Sequence, residues 1–207
     1  MSGFCFALAA GWKKTASRGR VEVFIMRFFN QTKGVLTSID EVIFELSSYI
    51  NDAPERQYRI AVGSDGEGYN VIDFPVAITI HRVGQGGRFF ITRVRRENIN
   101  TMQQKIHTEA WLACEMGMLL KKRAAELECG DAILRHNIEI HIDVGEGGPT
   151  KSMIKEVVGM ARGLGFDVFI KPESAAASNV ADRFSAPFKS GHVKHDFPIR
   201  AELVVQL

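Results

Sequence analysis

Four acidic residues of this chain stand where carboxylates can be made to act together. Asp65 follows a short apolar run and lies in a glycine-rich stretch, G-S-D-G-E-G (63–68). Asp143 follows a run of alternating apolar and polar residues, I-E-I-H-I (138–142). Glu109 sits among apolar neighbours in H-T-E-A-W (107–111), and Asp182 lies in S-N-V-A-D-R-F (178–184). Carboxylates held close together repel unless one is protonated or a cation sits between them. Mg2+ or Mn2+ takes all-oxygen ligands of this kind. Two such ions ~3.5–4 Å apart activate a water and stabilise the leaving oxygen in phosphodiester hydrolysis. Singly, each acid has a plainer reading. Asp65 before Gly66 and Asp143 near Gly145 read as turn residues, Glu109 as a solvated helix residue, and Asp182 as a partner for Arg183. The case for chemistry therefore rests on whether the fold gathers them.

The hydrophobic pattern supplies the elements. Ser38 with Glu41 three residues on makes a capping box, and Val42, Leu46 and Ile50 then form a stripe, so a helix is expected over 38–51. Strands are expected at 58–63, 74–83 and 88–96, the last two joined by a turn at Gly84, Gly86 and Gly87. A long helix is expected from Thr101 to Glu128, carrying Ile106, Ala110, Ala113, Gly117 and Leu120 at helical spacing and ended by Gly130. A fourth strand is expected over 138–144, a helix from Thr150 to about Gly163, a fifth strand over 166–171, and a short helix over 174–185. Consecutive strands joined by tight turns pair antiparallel. The later helices are crossovers that make the fourth and fifth strands parallel to the first. The expected class is α/β: a mixed five-stranded sheet, three antiparallel strands then parallel ones, with helices on both faces. In such a sheet, sites collect at the carboxyl ends of parallel strands. Asp65 and Asp143 fall at two of those ends.

Composition narrows the setting. The 207 residues carry 26 basic and 24 acidic side chains, a net charge of +2, which neither demands nor excludes a nucleic-acid partner. No run approaches the roughly 20 apolar residues of a membrane span. Phe4 to Ala10 is short, and Lys13 and Lys14 follow it instead of preceding it as in a secretory signal. Three cysteines, Cys5, Cys114 and Cys129, show no C-x-x-C spacing, so a reducing, cytoplasmic setting is expected. Residues 1–25 read as a poorly structured extension, 26–186 as the domain, and 187–207 as a tail or a strand at the sheet edge.

Other residues compete for roles. Arg93 and Arg95 share one face of the third strand and are candidates for a nucleic-acid backbone. Lys171 and His141 are candidates to steady substrate or the acidic ligands. His141 and Asp143 alternate on the fourth strand and are expected to face the same side. His141 reads first as a hydrogen-bonded histidine of the core or beside a metal centre, and the spacing of His107 and Glu109 does not support a zinc site. The loop D-V-G-E-G-G-P-T (143–150) could cradle a phosphate at the helix start, although no G-x-x-x-x-G-K-[ST] is present.

Five runs carry a family resemblance: FFNQTKGVLT (28–37), YRIAVGSDGE (58–67), HTEA (107–110), HIDVGEGGPTK (141–151) and IKPESAAASNVAD (170–182). Together they resemble the YkuK-like family of bacterial proteins, within the ribonuclease H-like superfamily. The resemblance places Asp65, Glu109 and Asp143 on the acidic positions of ribonuclease H-like nucleases. It sets Asp182 on the last acid, where S-N-V-A-D stands against N-x-x-A-D and Ser178 replaces the usual asparagine. The chain departs from the family at GSDGE, usually GTDSQ-like, and at KPES, usually KPDS. What the resemblance implies is a nuclease dependent on Mg2+ or Mn2+, acting on RNA, DNA or a hybrid. A non-catalytic nucleic-acid-binding or interaction module of the same fold is the alternative. A relative of actin-like ATPases is a third, since such enzymes share the core and a similar phosphate loop.

Overall fold

The computed structural model describes residues 22–144, 151–174, 180–181 and 202–205, without the side chains of 22–25, 151–152 and 202–205. The strands are β1 (Glu22–Ile25), β2 (Phe28–Asn30), β3 (Gly34–Leu36), β4 (Tyr58–Ser64), β5 (Asn70–Arg82), β6 (Gly87–Ile99), β7 (Ile138–Ile142), β8 (Asp167–Ile170) and β9 (Glu202–Val205). The helices are α1 (Ile39–Asn51), α2 (Met102–Glu126), α3 (Asp131–Leu134) and α4 (Lys151–Gly163).

The main sheet has the order β3-β2-β6-β5-β4-β7-β8. β4, β5 and β6 form an antiparallel meander, and β7 and β8 add to β4 in parallel. This is the expected mixed α/β sheet with seven strands instead of five. The two extra strands come from residues 28–36, whose three-residue strands are too short to show a period. They are made by Asn30, whose side-chain oxygen accepts the N–H groups of Thr32 and Lys33 at 2.9 Å each, and by Gly34 at φ +77°. Both are turn devices. Asn30 also donates to the Phe89 carbonyl at 2.7 Å, which sews this hairpin to β6. β1 and β9 pair antiparallel with each other as a separate two-stranded sheet. Residues 202–205 thus extend no edge of the main sheet.

Alternation decides which side of the sheet is core. Ile60, Val62, Ile78, Ile80, Phe74, Phe90, Ile138 and Ile140 are all fully or nearly fully buried. The register puts them on one face. α2 lies against it through Gly117, where an added Cβ would come within 3.0 Å of Phe166 and 3.2 Å of Ile140. α1 is held to the same face by the Tyr58 hydroxyl, which donates to main-chain carbonyls of Tyr49 and Ala53 at 3.1 and 3.0 Å. Arg123 of α2 grips Asp40 of α1 with two further bonds. α4 packs over Val168 and Ile170, which the register aligns with Ile140 and Ile142. Truncating a phenylalanine in a core like this costs about 3–5 kcal/mol. Of the helix expected over 174–185, residues 180–181 are described. They are helical, with Ala181 buried.

Cys114 is fully buried in α2, and that burial pushes its thiol up to about 12, as a core cysteine requires. No described helix is long and apolar enough to cross a membrane.

Candidate metal centre at the ends of the parallel strands

Chain direction brings the acids to one end of the sheet. β4, β7 and β8 run parallel, so their carboxyl ends lie side by side. The last aligned pair of β4 and β7 is Gly63 with His141. Asp65 and Asp143 each follow two residues later, on strands ~4.8 Å apart. Lys171 follows β8 in the same row, and its N–H donates to the Val144 carbonyl at 3.0 Å. β6 runs the same way as β4, since each is antiparallel to β5, so α2 starts at this end too. Thr101 caps α2 reciprocally with Gln104 immediately after β6. The first turns of the helix therefore lie beside the strand ends, and Glu109 is on them.

Glu109 is 6% exposed. Its Oε1 accepts the Gly66 N–H at 2.9 Å, which ties the Asp65 loop to α2. Lys105, one turn earlier, places its Nζ 3.8 Å from the same oxygen. Burial is the main force pushing the Glu109 carboxyl up to about 8. The Gly66 bond and Lys105 oppose it, and the charges of Asp65 and Asp143 add to it. The carboxyl thus feels both other acids and holds its proton at neutral pH.

Gly66 is required by packing. A Cβ there would come within 2.4 Å of the Phe74 ring and 2.9 Å of Ile72. A side chain at position 66 would therefore displace a core phenylalanine. The backbone of the loop is fixed on the other side by Asp65, whose N–H donates to the Pro75 carbonyl at 3.3 Å.

Asp143 is paired. Lys171 Nζ lies 2.6 Å from its Oδ1, an oxygen with no exposed surface. The donors of this cluster are carboxylate oxygens and suit a hard divalent cation in kind. As they stand, no three His, Cys, Asp or Glu side chains among the described residues are close enough to hold an ion. Lys171 supplies positive charge at Asp143, and Glu109 is neutral and turned to Gly66. A cation there would compete with Lys171 for Asp143 and with the proton for Glu109. Asp182 lies outside the described residues, as does the loop 145–150 of the candidate phosphate cradle.

The remaining candidates lie on the face of the sheet turned away from α2. His141 bonds Glu139 Oε2 through Nε2 at 3.0 Å and stands edge-on to Phe169. Arg59 clasps the same Glu139 with two bonds of 2.9 and 2.8 Å. This buried network was not foreseen beyond its histidine, although the alternation of I-E-I-H-I puts Glu139 and His141 on one face. Arg93 and Arg95 do share a face, aligned with Pro75 and Asp73. Arg95 reaches Asp73 and Glu97 at 4.0 Å each. Arg93 is half-buried, and its burial lowers its pKa against the pull of Asp73. The structure thus brings Asp65, Asp143 and Lys171 to neighbouring strand ends, with the two acids within electrostatic reach of Glu109 on α2. His141 shares the alternation of Asp143 on β7 but is bonded to Glu139, and Arg93 and Arg95 lie on β6.

Sequence comparisons place the chain in a family. The chain is 25% identical over 167 residues to a protein of Bacillus subtilis (strain 168) described as "Uncharacterized protein YkuK", covering 76% of this chain and 96% of that one. No solved structure matches. The family model described as "Ribonuclease H-like" matches residues 41–186, which run from α1 past β8 and so take in the meander, the parallel strands and all four acids: the chain belongs to the ribonuclease H-like family.

Proposed function

We propose that this protein is a nuclease dependent on Mg2+ or Mn2+ that hydrolyses phosphodiester bonds at the Asp65, Glu109, Asp143 and Asp182 cluster. The observation that carries the reading is Glu109. It is a buried carboxyl on the first turns of α2, raised by burial and by two neighbouring acids that follow adjacent parallel strands. Perturbed carboxyls in such a place are a mark of functional sites. A divalent cation bound here would supply an activated water and neutralise charge on the leaving oxygen. The protein's own part is to hold Asp65 and Asp143 in a fixed pair, to release the Glu109 proton as the cation enters, and to set Lys171 at the edge of the cluster for a phosphate.

The test is a cleavage assay on RNA, DNA and hybrid substrates with and without Mn2+. Wild type should cleave only with metal. Asp65→Asn and Asp143→Asn should lose at least a hundredfold, the scale of a removed charge-stabilising group, while keeping the thermal midpoint of a folded protein. Full turnover by both variants would sink the reading.

A second reading is a nucleic-acid-binding module that has kept the fold. The 2.6 Å Lys171–Asp143 pair favours it, because it neutralises one acid without metal. That reading requires salt-dependent binding with no metal-dependent cleavage, and weakened binding in Arg93 and Arg95 variants.

A further inference from the structure

Lys171 lies on one of the two oxygens that Asp143 could offer a metal. Its Nζ sits 2.6 Å from Asp143 Oδ1, and that oxygen has no exposed surface. The lysine side chain itself is 58% exposed, so it reaches in from solvent and lies over the carboxylate. Its backbone position does not depend on this contact, because the Lys171 N–H is held by the Val144 carbonyl at 3.0 Å. The arrangement is a fixed strand end carrying a movable ammonium. Lysine suits such a role. It is a point charge on a flexible stem, able to trade one anion for another.

An ammonium and a divalent cation held on one carboxylate repel each other, so each weakens the other's hold on Asp143. A phosphodiester entering the cluster offers the ammonium another anion. We propose that Lys171 is a built-in counter-ion that competes with a divalent cation for Asp143, and that a substrate phosphate draws it away, so that metal and phosphodiester bind cooperatively through this lysine. This rests on the metal-centre reading above and adds a competition to it. Linkage makes the effect reciprocal: whatever the phosphodiester does for metal affinity, the metal does for phosphodiester affinity. Lys171 is then a positioning residue for the metal and a ligand for the phosphate.

The experiment is calorimetric titration of Mn2+ into wild type, Lys171→Met and Lys171→Arg. Each is titrated alone and with a short phosphorothioate oligonucleotide that resists cleavage, supplied as RNA, DNA and hybrid. Without oligonucleotide, Lys171→Met is expected to bind Mn2+ about twofold to fivefold tighter than wild type, the range of a half-solvated ion pair removed from competition. Lys171→Arg keeps the charge and should restore wild-type affinity, an outcome that a merely structural role would not give. An oligonucleotide should tighten Mn2+ binding to wild type and leave Lys171→Met unchanged. Should Lys171→Met fail to fold, Lys171→Gln carries the same comparison.

Equal or weaker Mn2+ binding by the neutral variant would overturn the counter-ion. Equal tightening of both proteins by oligonucleotide would overturn the exchange onto phosphate. In either case the metal centre itself would stand, since Mn2+ binds. Absence of Mn2+ binding in every protein and every arm would remove the metal centre and this proposal together.

Discussion

Glu109 and Glu139 are both buried, at 6% and 9% exposure, and both flank the central parallel pair β4–β7. They have opposite electrostatics. Burial tends to raise the Glu139 carboxyl, but bonds from His141 and Arg59 and the charge of Arg59 overcome it and hold it below its usual value. Glu109 has one backbone N–H, a lysine at 3.8 Å and two acids nearby, and its carboxyl rises to about 8. One carboxylate has its cation built in. The other is left in a place where like charges crowd. A buried carboxylate with a bidentate arginine is finished as a structural element. A buried carboxyl among other acids is stable only while it keeps its proton or acquires a cation. The difference separates a polar network that braces the sheet from the cluster to which we assign the proposed chemistry.

The contrast can be broken from either side, and the larger effect is expected at Glu109. Its folded pKa, about 8, lies above the ordinary value of 4.5. The folded protein therefore binds the proton more tightly than the unfolded chain does. The stability this contributes is full below about pH 4.5 and is lost as pH rises through about 8. At ~1.4 kcal/mol per unit of pKa, the loss by pH 9 approaches ~5 kcal/mol as an upper bound. Glu109→Gln keeps an oxygen for the Gly66 N–H and does not ionise. It should unfold at higher denaturant than wild type at pH 9, with the gap closing toward pH 5. A constant gap across that range would mean that Glu109 does not carry the perturbed proton.

The smaller effect is expected at Glu139. Arg59→Met removes its cation and should move Glu139 toward the condition of Glu109, with a raised carboxyl pKa. Because the arginine side chain is about half exposed, solvent screens part of the pair. The expected loss at pH 7 is about 1–2 kcal/mol, read by denaturant unfolding. This variant should leave metal-dependent cleavage intact. A stability equal to wild type would show that His141 alone satisfies Glu139.

Much of this was readable in the sequence because it rests on period and direction. The stripe Ile106–Ala110–Ala113–Gly117–Leu120 placed α2, and strand order then placed Asp65, Glu109 and Asp143 at one end. The residues 28–36 were not readable as strands, because three-residue strands have no period and depend on Asn30 reaching Phe89 across the sheet. Arg59 with Glu139 was missed for a related reason. The two are 80 positions apart, and only the β4–β7 register brings them together. The pairing of Lys171 with Asp143 likewise depends on β8 lying next to β7. The long-range polar partners were therefore hidden, while the elements that carry them were visible.

The most direct test of the central claim, that Asp65, Glu109 and Asp143 form one cation site, is proton release on metal binding. Mn2+ is titrated at pH 7 in two buffers of different ionisation enthalpy. Wild type is expected to bind saturably and release about one proton, because Glu109 must ionise as the cation enters. Asp143→Asn should abolish binding, and Glu109→Gln should abolish the release. Binding that survives Asp143→Asn, or that releases no proton from wild type, would contradict the account.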